Sequence, residues 1–266
     1  MSFPAAPALV DASVPCTSCN ARLDARCGAM ADPHLDHLAA TALRQTFAAG
    51  AEFMAEGEPA EHVFGLTCGT ARLFKLLPDG RRQVLGFARA GQFLGLASCR
   101  TYTVSAEAVE PVHLHRLPRS RLRGLLEQYP VLERWLLETA AYELSIAQEQ
   151  MMLLGRKTAR ERVASFLVAW AAGGRPCVPP LSHLHLPMPR GDIADYLGLT
   201  IETVSRTLTR LRIEGLLAIP SPSEVEVLRP VALAAIAGCN SSPTDMMRCD
   251  EERRQLYPGA GMGAGA

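Results

Sequence analysis

Four polar residues in the carboxy-terminal third of the chain have side chains that suit the reading of DNA bases. These residues are Glu202, Ser205, Arg206 and Thr209. They fall at i, i+3, i+4 and i+7, so a helix would present them on one face. Arg can donate two hydrogen bonds to O6 and N7 of guanine, Glu can accept one from a cytosine or adenine amino group, and Ser suits either edge. The spacing predicts a surface that recognises bases in the major groove.

Residues next to this group have types that contact phosphate. Thr200 and Thr203 stand at the expected start of the helix, where exposed backbone N–H groups bind anions. Arg210 follows Arg206 by one helical turn and can add positive charge. Such contacts fix a protein on the duplex without reading its sequence. In the alternative interpretation, Glu202 and Arg206 form only a surface ion pair worth roughly 0.2–0.5 kcal/mol.

A second chemical group lies near the amino terminus. Cys16, Cys19 and Cys27 form a Cys-x2-Cys-x7-Cys cluster, while the remaining cysteines of the eight are scattered. Clustered thiolates suit either zinc or an iron–sulfur cluster, and the spacing does not distinguish the two. A structural zinc site would need a fourth ligand within reach. The cysteine cluster therefore predicts a small metal site, and the spacing alone is compatible with zinc or with an iron–sulfur cluster.

The segment from 190 to 217 contains the elements that would position the base-reading residues. Two apolar stripes at helical spacing consist of Ile193, Ala194 and Leu197 and of Val204, Leu208 and Leu211. Gly198 suits the left-handed cap that ends the first helix, and Thr200 suits the N-cap of the second. Two short helices joined by such a turn form a helix–turn–helix. The following LLAIPSPSEVEVL predicts two strands around a Pro/Ser turn, the wing.

The preceding part of the chain is β-rich. Between 50 and 118, short runs punctuated by Gly and Pro predict a barrel or jelly roll. ARLFKLL, the turn PDG and RRQVLGF predict a hairpin within it. The spacing of the leucines in 33–46 predicts a short helix before these strands. Residues 175–189 are a Pro-rich connector, and residues 240–266 predict a disordered tail.

Residues 119–154 predict helical structure. After Tyr129-Pro130, neither Gly nor Pro occurs until Gly155. A seam at alternating spacings of four and three consists of Leu132, Trp135, Thr139, Tyr142, Ile146 and Leu153. This seam can pack on the barrel or on a second copy of the chain as a coiled coil. The unbroken length, about twice that of an average helix, favours a dimer helix.

The composition limits the function classes. Lys+Arg and Asp+Glu are balanced at 27 each, so any DNA-binding surface must be a local basic patch. The first fifteen residues contain no Lys or Arg and no long apolar run, which is unlike a secretory signal peptide. The longest apolar stretches are too short to span a bilayer. We expect a cytoplasmic protein that does not associate with membranes, with reduced cysteines.

The segment 190–217 resembles the carboxy-terminal domain of the Crp/Fnr regulators. Glu202-x-x-Ser205-Arg206 matches the motif of the Fnr branch, and MMLLGRKTARERVASFL resembles Fnr-like proteins of photosynthetic alphaproteobacteria. The resemblance covers roughly residues 16 to 230. It implies an α+β fold: an amino-terminal cyclic-nucleotide-binding-type β-roll, a long dimerisation helix and a carboxy-terminal winged helix–turn–helix. It also implies a homodimeric regulator that binds TTGAT-like inverted repeats in double-stranded DNA.

This resemblance implies the following domain organisation. The expected divisions are a cysteine-bearing sensor segment at 1–32, a β-roll sensor domain at 33–128, a dimerisation helix at 129–155, a winged helix–turn–helix domain at 156–239 and the tail at 240–266. Four arginines within 116–123 are candidates for contact with RNA polymerase, or form a solvated face.

The resemblance also implies a cofactor. Fnr-type oxygen sensors hold a [4Fe-4S] cluster with an amino-terminal cysteine group and one cysteine of the β-roll, and oxygen destroys the cluster and separates the dimer. Cys16, Cys19 and Cys27 match the first group. This chain departs from the pattern at the fourth ligand, because the matching position holds His115. Histidine can ligate iron, and Cys99 in the preceding loop is a substitute candidate.

Three alternatives remain for the sensor and one for the function. Cyclic nucleotide binding is not expected, because Leu96 stands at the place of the glutamate that would bind the ribose, although Arg100 lies near the arginine place. Zinc at the cysteines or haem bound through His113 or His115 would give a cluster-free regulator. A metal–thiolate enzyme is the remote alternative. We expect no enzyme, because no Ser/His/Asp order, phosphate-binding Gly loop or HExxH motif occurs.

Overall fold

The computed structural model describes residues 42–96, 99–171 and 183–238. The chain divides into two compact units, residues 1–142 and residues 143–266. The amino-terminal cysteine segment and the carboxy-terminal tail, with the predictions made for them, lie outside the described residues. Within the described ranges, no helix combines the length and apolar character needed to cross a membrane.

The described residues of the first unit form eight antiparallel strands. They are β1 (Leu43–Phe47), β2 (Glu52–Met54), β3 (His62–Cys68), β4 (Thr70–Leu76), β5 (Arg82–Arg89), β6 (Phe93–Leu94), β7 (Ser105–Ala108) and β8 (Val112–Pro118). Two four-stranded sheets result, in the orders β1-β8-β3-β6 and β2-β7-β4-β5. Their buried core includes Phe64, Leu66, Ala106 and Leu114. This is the β-roll architecture that the resemblance to the Crp/Fnr regulators implies.

The predicted hairpin is strands β4 and β5. Thr70 pairs with Arg89 at one end of the ladder and Leu76 pairs with Arg82 at the other. Gly80 closes the turn with a φ of 84°, a left-handed conformation that a residue with a Cβ rarely adopts. The prediction of strand–turn–strand here is confirmed.

The predicted helix at 33–46 is wrong over its described end. Leu43–Phe47 forms β1, which pairs antiparallel with β8 from Leu43↔Arg116 to Phe47↔Val112. Phe47 is buried in the core, whereas Leu43 is exposed. Pairing with a neighbouring strand decides the conformation of these residues, and it overrides the helical spacing of the leucines.

In the described range 99–171, two helices follow directly after the strands of the first unit. Helix α1 (Arg119–Gln128) buries Leu125, which packs with Leu117 of β8 and with Leu132. Helix α2 spans Pro130–Arg156 and contains the residues that predict a long helix. Tyr129 separates the two, since the residue before a proline is disfavoured in the helical conformation.

Within the part of the second unit that the structure describes, four further helices and three strands form. They are α3 (Ala159–Ala171), β9 (His183–His185), α4 (Arg190–Leu197), α5 (Ile201–Ile213), β10 (Leu217–Ser221), β11 (Glu224–Val227) and α6 (Pro230–Ile236). The strands form one antiparallel sheet in the order β10-β11-β9. Helices α3, α4 and α5 bury Val163, Ile193 and Leu208 respectively, which form part of the hydrophobic core. A β-roll followed by helices and a winged helix–turn–helix confirms the predicted α+β class.

Candidate DNA-binding interface

The turn between α4 and α5 follows from two local signals. Helix α4 ends at Gly198, whose φ of 61° and ψ of 42° place it in the left-handed conformation. The Gly198 and Leu199 amides donate to the Ala194 carbonyl oxygen, which satisfies the end of the helix. Thr200 is then extended and accepts a hydrogen bond from the Thr203 amide at 3.2 Å. The cap and the turn predicted from the sequence are therefore confirmed.

Helix α5 has one buried and one exposed face. Val204, Leu208 and Leu211 point into the core, and Val204 and Leu211 are completely covered. The four residues expected to read bases are all exposed: Glu202, Ser205, Arg206 and Thr209. The apolar contacts thus fix the rotation of the helix about its axis, and this rotation directs the polar side chains outward.

The charged pair on this face is available for ligand contacts. Among the described residues, no ion pair joins Glu202 to Arg206, and the Arg206 guanidinium has no other hydrogen-bonding partner. The Glu202 backbone amide lowers the pKa of its carboxyl most, followed by the Thr200 hydroxyl and the charge of Arg206. Glu202 is therefore an anion near neutral pH that can accept hydrogen bonds.

Arg210 differs from Arg206 in having a partner. Its Nε donates to Glu214 Oε1 at 3.0 Å, and the other carboxylate oxygen of Glu214 accepts from Arg160 of α3. Glu214 thereby links the end of α5 to α3. The sequence suggests no such link, because Arg160 and Glu214 are far apart along the chain. Arg210 retains exposed donors, but part of its charge is compensated.

The wing has a third strand, β9, whose residues lie within the stretch predicted as a Pro-rich connector. Strand β9 pairs with β11, with His183 opposite Glu226 and His185 opposite Glu224. His185 Nδ1 lies 2.8 Å from Glu224 Oε1, and His183 Nε2 lies 3.9 Å from Glu226 Oε1. Leu184 between the histidines is buried. This His-Leu-His alternation is the one local signal that could have indicated the strand.

The candidate fourth metal ligand lies on strand β8 of the first unit. His115 stands opposite Arg44 of β1 and Gly65 of β3, and it is partly buried. Burial, followed by the charge of Arg44, lowers the pKa of His115. The imidazole is therefore neutral near pH 7, which is the form that ligates metals. Neighbouring His113 is exposed, and its Nδ1 lies 2.9 Å from the Thr46 hydroxyl.

Cys99, the substitute ligand, lies in the segment between β6 and β7. Its thiol is free and exposed. Arg119 of α1 donates to the Cys99 carbonyl oxygen at 2.9 Å and, through Nε, to the Gly95 carbonyl oxygen at 3.1 Å. In the part of the chain that the structure describes, no three His, Cys, Asp or Glu side chains are grouped to hold a metal ion. Cys16, Cys19 and Cys27 lie outside that part.

The same segment contains the residues that bear on cyclic nucleotides. Leu96 is partly buried and Arg100 is exposed. A buried ribose hydroxyl would find no carboxylate at position 96, and an unpartnered buried hydroxyl costs about 1–3 kcal/mol. The expected lack of cyclic nucleotide binding remains a prediction.

Comparison with known proteins identifies both units. Residues 44–129 match the family model for the cyclic nucleotide-binding domain, and residues 161–236 match the Crp-like helix-turn-helix domain. The chain belongs to the Crp/Fnr family of transcription regulators. As in the rest of this family, its helix–turn–helix is a DNA-binding element. The members are regulators rather than enzymes, which removes the metal–thiolate enzyme from consideration.

Similar proteins support the FixK-like branch of the family. The chain is 41% identical over 221 residues to the transcriptional activatory protein AadR of Rhodopseudomonas palustris, covering 83% of this chain and 92% of AadR. It is 37% identical over 185 residues to the transcriptional activator protein Anr of Pseudomonas aeruginosa, covering 69% and 75%. The solved structure of FixK2 from Bradyrhizobium japonicum has a TM-score of 0.68 at 37% identity, covering 73% of this chain and 96% of FixK2.

Proposed function

We propose that this protein is a homodimeric transcription activator that reads TTGAT-like inverted repeats in double-stranded DNA. The observation that carries the proposal is the exposed face of α5, where Glu202, Ser205, Arg206 and Thr209 project together from a capped helix. The amino-terminal half of a recognition helix enters the major groove. Arg206 would bind guanine, Glu202 and Ser205 would contact neighbouring bases, and Thr209 would lie further along the groove.

Phosphate contacts would orient this helix on the duplex. Thr200 and Thr203 lie at its amino terminus, where backbone amides and the helix dipole favour an anion. Arg210 lies one turn beyond Arg206 and would contact the backbone with the donors that Glu214 does not use. These residues position the protein and contribute no sequence preference of their own.

The proposed dimer interface is an exposed apolar stripe on α2. Leu137, Leu144 and Met151 are 65%, 59% and 66% exposed and are spaced by seven residues. With the intervening positions, the stripe consists of Leu137, Ala140, Leu144, Ala147, Met151 and Leu154. Alternating spacings of three and four are those of a coiled-coil seam. A second copy of α2 would bury this stripe.

This stripe lies on a different face from the seam predicted from the sequence. Leu132 and Leu153 of that seam are buried within the chain itself, at 2% and 7% exposure. Leu132 packs with Leu117 and Leu125. The sequence left open whether this seam packs on the barrel or on a second copy of the chain. At both ends of the seam, residues of the same chain already bury it. The dimer is better assigned to the exposed stripe.

We propose an oxygen-responsive [4Fe-4S] cluster as the signal. Cys16, Cys19 and Cys27 would hold it, with His115 as the fourth ligand and Cys99 as the substitute. The neutral, partly buried imidazole of His115 supports its role. When bound, such a cluster reacts with oxygen, and its loss would weaken the dimer. The domain divisions expected from the sequence are retained in this proposal, as is a cytoplasmic location.

Activation implies a contact with RNA polymerase, and the arginines of 116–123 differ in their suitability. Arg116 Nη2 lies 3.1 Å from His62 Nδ1, and Arg119 binds the Gly95 and Cys99 carbonyl oxygens. Arg121 and Arg123 are exposed. We propose these two as polymerase contacts. AadR is a transcriptional activatory protein and Anr is a transcriptional activator protein, which supports activation over repression.

The dimer part of the proposal is tested by Leu144→Glu. A charge in the stripe should prevent association, because a buried unpaired carboxylate is costly in an apolar interface. Analytical ultracentrifugation of protein purified without oxygen should show wild-type dimer and variant monomer. Leu43→Glu, an equally exposed leucine on β1, is the matched control and should leave the dimer intact. A dimeric Leu144→Glu protein would contradict the assigned interface.

The cluster part is tested by iron, sulfide and zinc assays with visible spectra on protein purified without oxygen. Iron and sulfide with a band that bleaches in air are expected, and His115→Ala should reduce the iron content. A colourless protein containing zinc would instead establish the second candidate, a cluster-free regulator of the same family. Haem bound through His113 or His115 would be revealed by an intense Soret band.

A further inference from the structure

We propose that Arg162 is the positioning residue that couples the dimer helix to the recognition helix. Arg162 lies on α3, which follows α2 in the chain. It is part of neither the exposed face of α5 nor the exposed apolar stripe on α2. This inference rests on the proposed dimeric function, since it concerns how two recognition helices are oriented in one dimer.

The Arg162 guanidinium joins the ends of two helices. Its Nη2 donates to the Leu154 carbonyl oxygen at 2.8 Å, in the last turn of α2, and its Nε donates at 2.9 Å to the carbonyl oxygen of Lys157, the residue that follows α2. Its Nη1 donates to the Leu197 carbonyl oxygen at 2.8 Å, at the carboxyl end of α4. Carbonyl groups at helix ends lack intrahelical partners and carry partial negative charge, so a cation stabilises both ends at once.

The two helix ends also touch directly. A Cβ added to Gly198 would lie 3.2 Å from Leu154 Cδ2 and 3.4 Å from Arg162 Nη1, so the glycine permits this close approach. Gln150 Nε2 donates to the Tyr196 carbonyl oxygen at 2.9 Å, one turn earlier on α2. Both links come from the last two turns of α2 and reach the last turn of α4.

The position of this junction gives it a consequence for DNA reading. Leu154 is the last residue of the proposed dimer stripe, and Leu197 lies three residues before Thr200, the N-cap of α5. A fixed distance between these residues therefore fixes where α5 begins relative to the dimer helix. Two recognition helices must lie about one DNA turn, or roughly 34 Å, apart to contact both half-sites. Arg162 would maintain that spacing.

Lysine cannot reproduce this arrangement. An ammonium is a point charge on a flexible stem, whereas the guanidinium donates in several fixed directions from one plane. Arg162→Lys keeps the charge and loses the simultaneous hydrogen bonds to α2 and α4. Arg156→Lys is the matched control, since Arg156 is an exposed arginine at the same junction and, within the described residues, has no hydrogen bond or ion pair.

The test measures binding of the full-length proteins, purified without oxygen, to three fluorescent duplexes by anisotropy. One carries a single TTGAT half-site, one an inverted repeat at the spacing preferred by wild type, and one the same repeat lengthened by half a turn. Arg162→Lys should bind the single half-site within about twofold of wild type and the preferred repeat about tenfold more weakly, the factor for losing one hydrogen bond to a charged group. It should also discriminate less between the two repeats.

Several outcomes would overturn the inference. If Arg162→Lys kept the spacing preference of wild type, Arg162 would not orient the two recognition helices. If its binding to all three duplexes were weakened equally, Arg162 would instead be needed for folding of the helix–turn–helix. Gln150→Leu removes the hydrogen bond from Gln150 to the Tyr196 carbonyl oxygen and should reduce the spacing preference in the same way. This variant replaces Arg162→Lys in the test if Arg162→Lys fails to fold. Wild-type protein without preference for the repeat would instead contradict the dimeric function itself.

Discussion

Helix α5 and strand β8 both carry proposed site residues, and they present them in opposite ways. On α5, Arg206 and Glu202 are exposed and unpaired with each other, so the face can bind a ligand as it stands. On β8, His115 is partly buried between neighbouring strands, and its pKa is lowered by burial and by Arg44. The first arrangement suits an external polymer, whereas the second suits an internal cofactor whose other ligands come from elsewhere in the chain.

The largest effect is expected on the exposed face of α5. Arg206→Ala should weaken binding to the cognate repeat by about 1–3 kcal/mol and relax the preference at one guanine of each half-site. Electrophoretic mobility shifts on the cognate duplex and on duplexes with that base pair changed would measure both.

Arg210→Ala is the control on the same helix. Because Glu214 already holds Arg210, its removal should weaken binding less and equally for all sequences, with a salt slope reduced by about one. If the Arg206 variant kept its preference at every base pair, the assignment of α5 as the reading face would be wrong.

An intermediate effect is expected at the cap of α5. Thr200→Ala removes the acceptor for the Thr203 amide and should lower the free energy of unfolding by about 1 kcal/mol. Urea denaturation of the full chain would measure the loss. Thr209→Ala, an exposed threonine within the same helix, should have little effect on stability. Equal losses in the two variants would show that the cap contributes nothing.

The smallest effect is expected on β8 and depends on pH. Since the pKa of His115 is lower in the folded protein than in the unfolded chain, the unfolded chain binds more protons as the pH falls below the ordinary histidine value of about 6.5. Folding stability of the cluster-free protein should therefore decrease as the pH falls through that range. His115→Gln should make the decrease shallower, and His113→Gln, on the exposed side, is the control. Identical pH profiles for His115→Gln and wild type would contradict the proposed burial.

The comparison also explains which features could be predicted from the sequence. Gly198 and Thr200 act on their immediate neighbours, so the turn and cap of the helix–turn–helix were readable from local residue types. Strand β9 depends on pairing with Glu224–Glu226, some forty residues away, and only the alternation at 183–185 hints at it. The prediction of a helix at β1 was wrong for the same reason, because β1 is formed by pairing with β8, which is distant in the sequence.

Long-range contacts of charged side chains were beyond prediction altogether. Arg162 sits in a basic run with several similar residues, and nothing local singles it out from Arg156 or Arg160. Its role depends on three carbonyl groups that the fold brings together. Similarly, which face of α2 stays exposed was determined by the packing of Leu132 and Leu153 rather than by the apolar spacing.

Selection of bound sequences from a pool of randomised duplexes would show whether α5 reads DNA bases. Wild-type protein, purified without oxygen, should enrich an inverted repeat with a guanine in each half-site, and Arg206→Ala should lose the preference at that guanine while retaining the rest. Enrichment of the same motif by both proteins, or of no motif by wild type, would contradict the claim that the exposed face of α5 reads DNA.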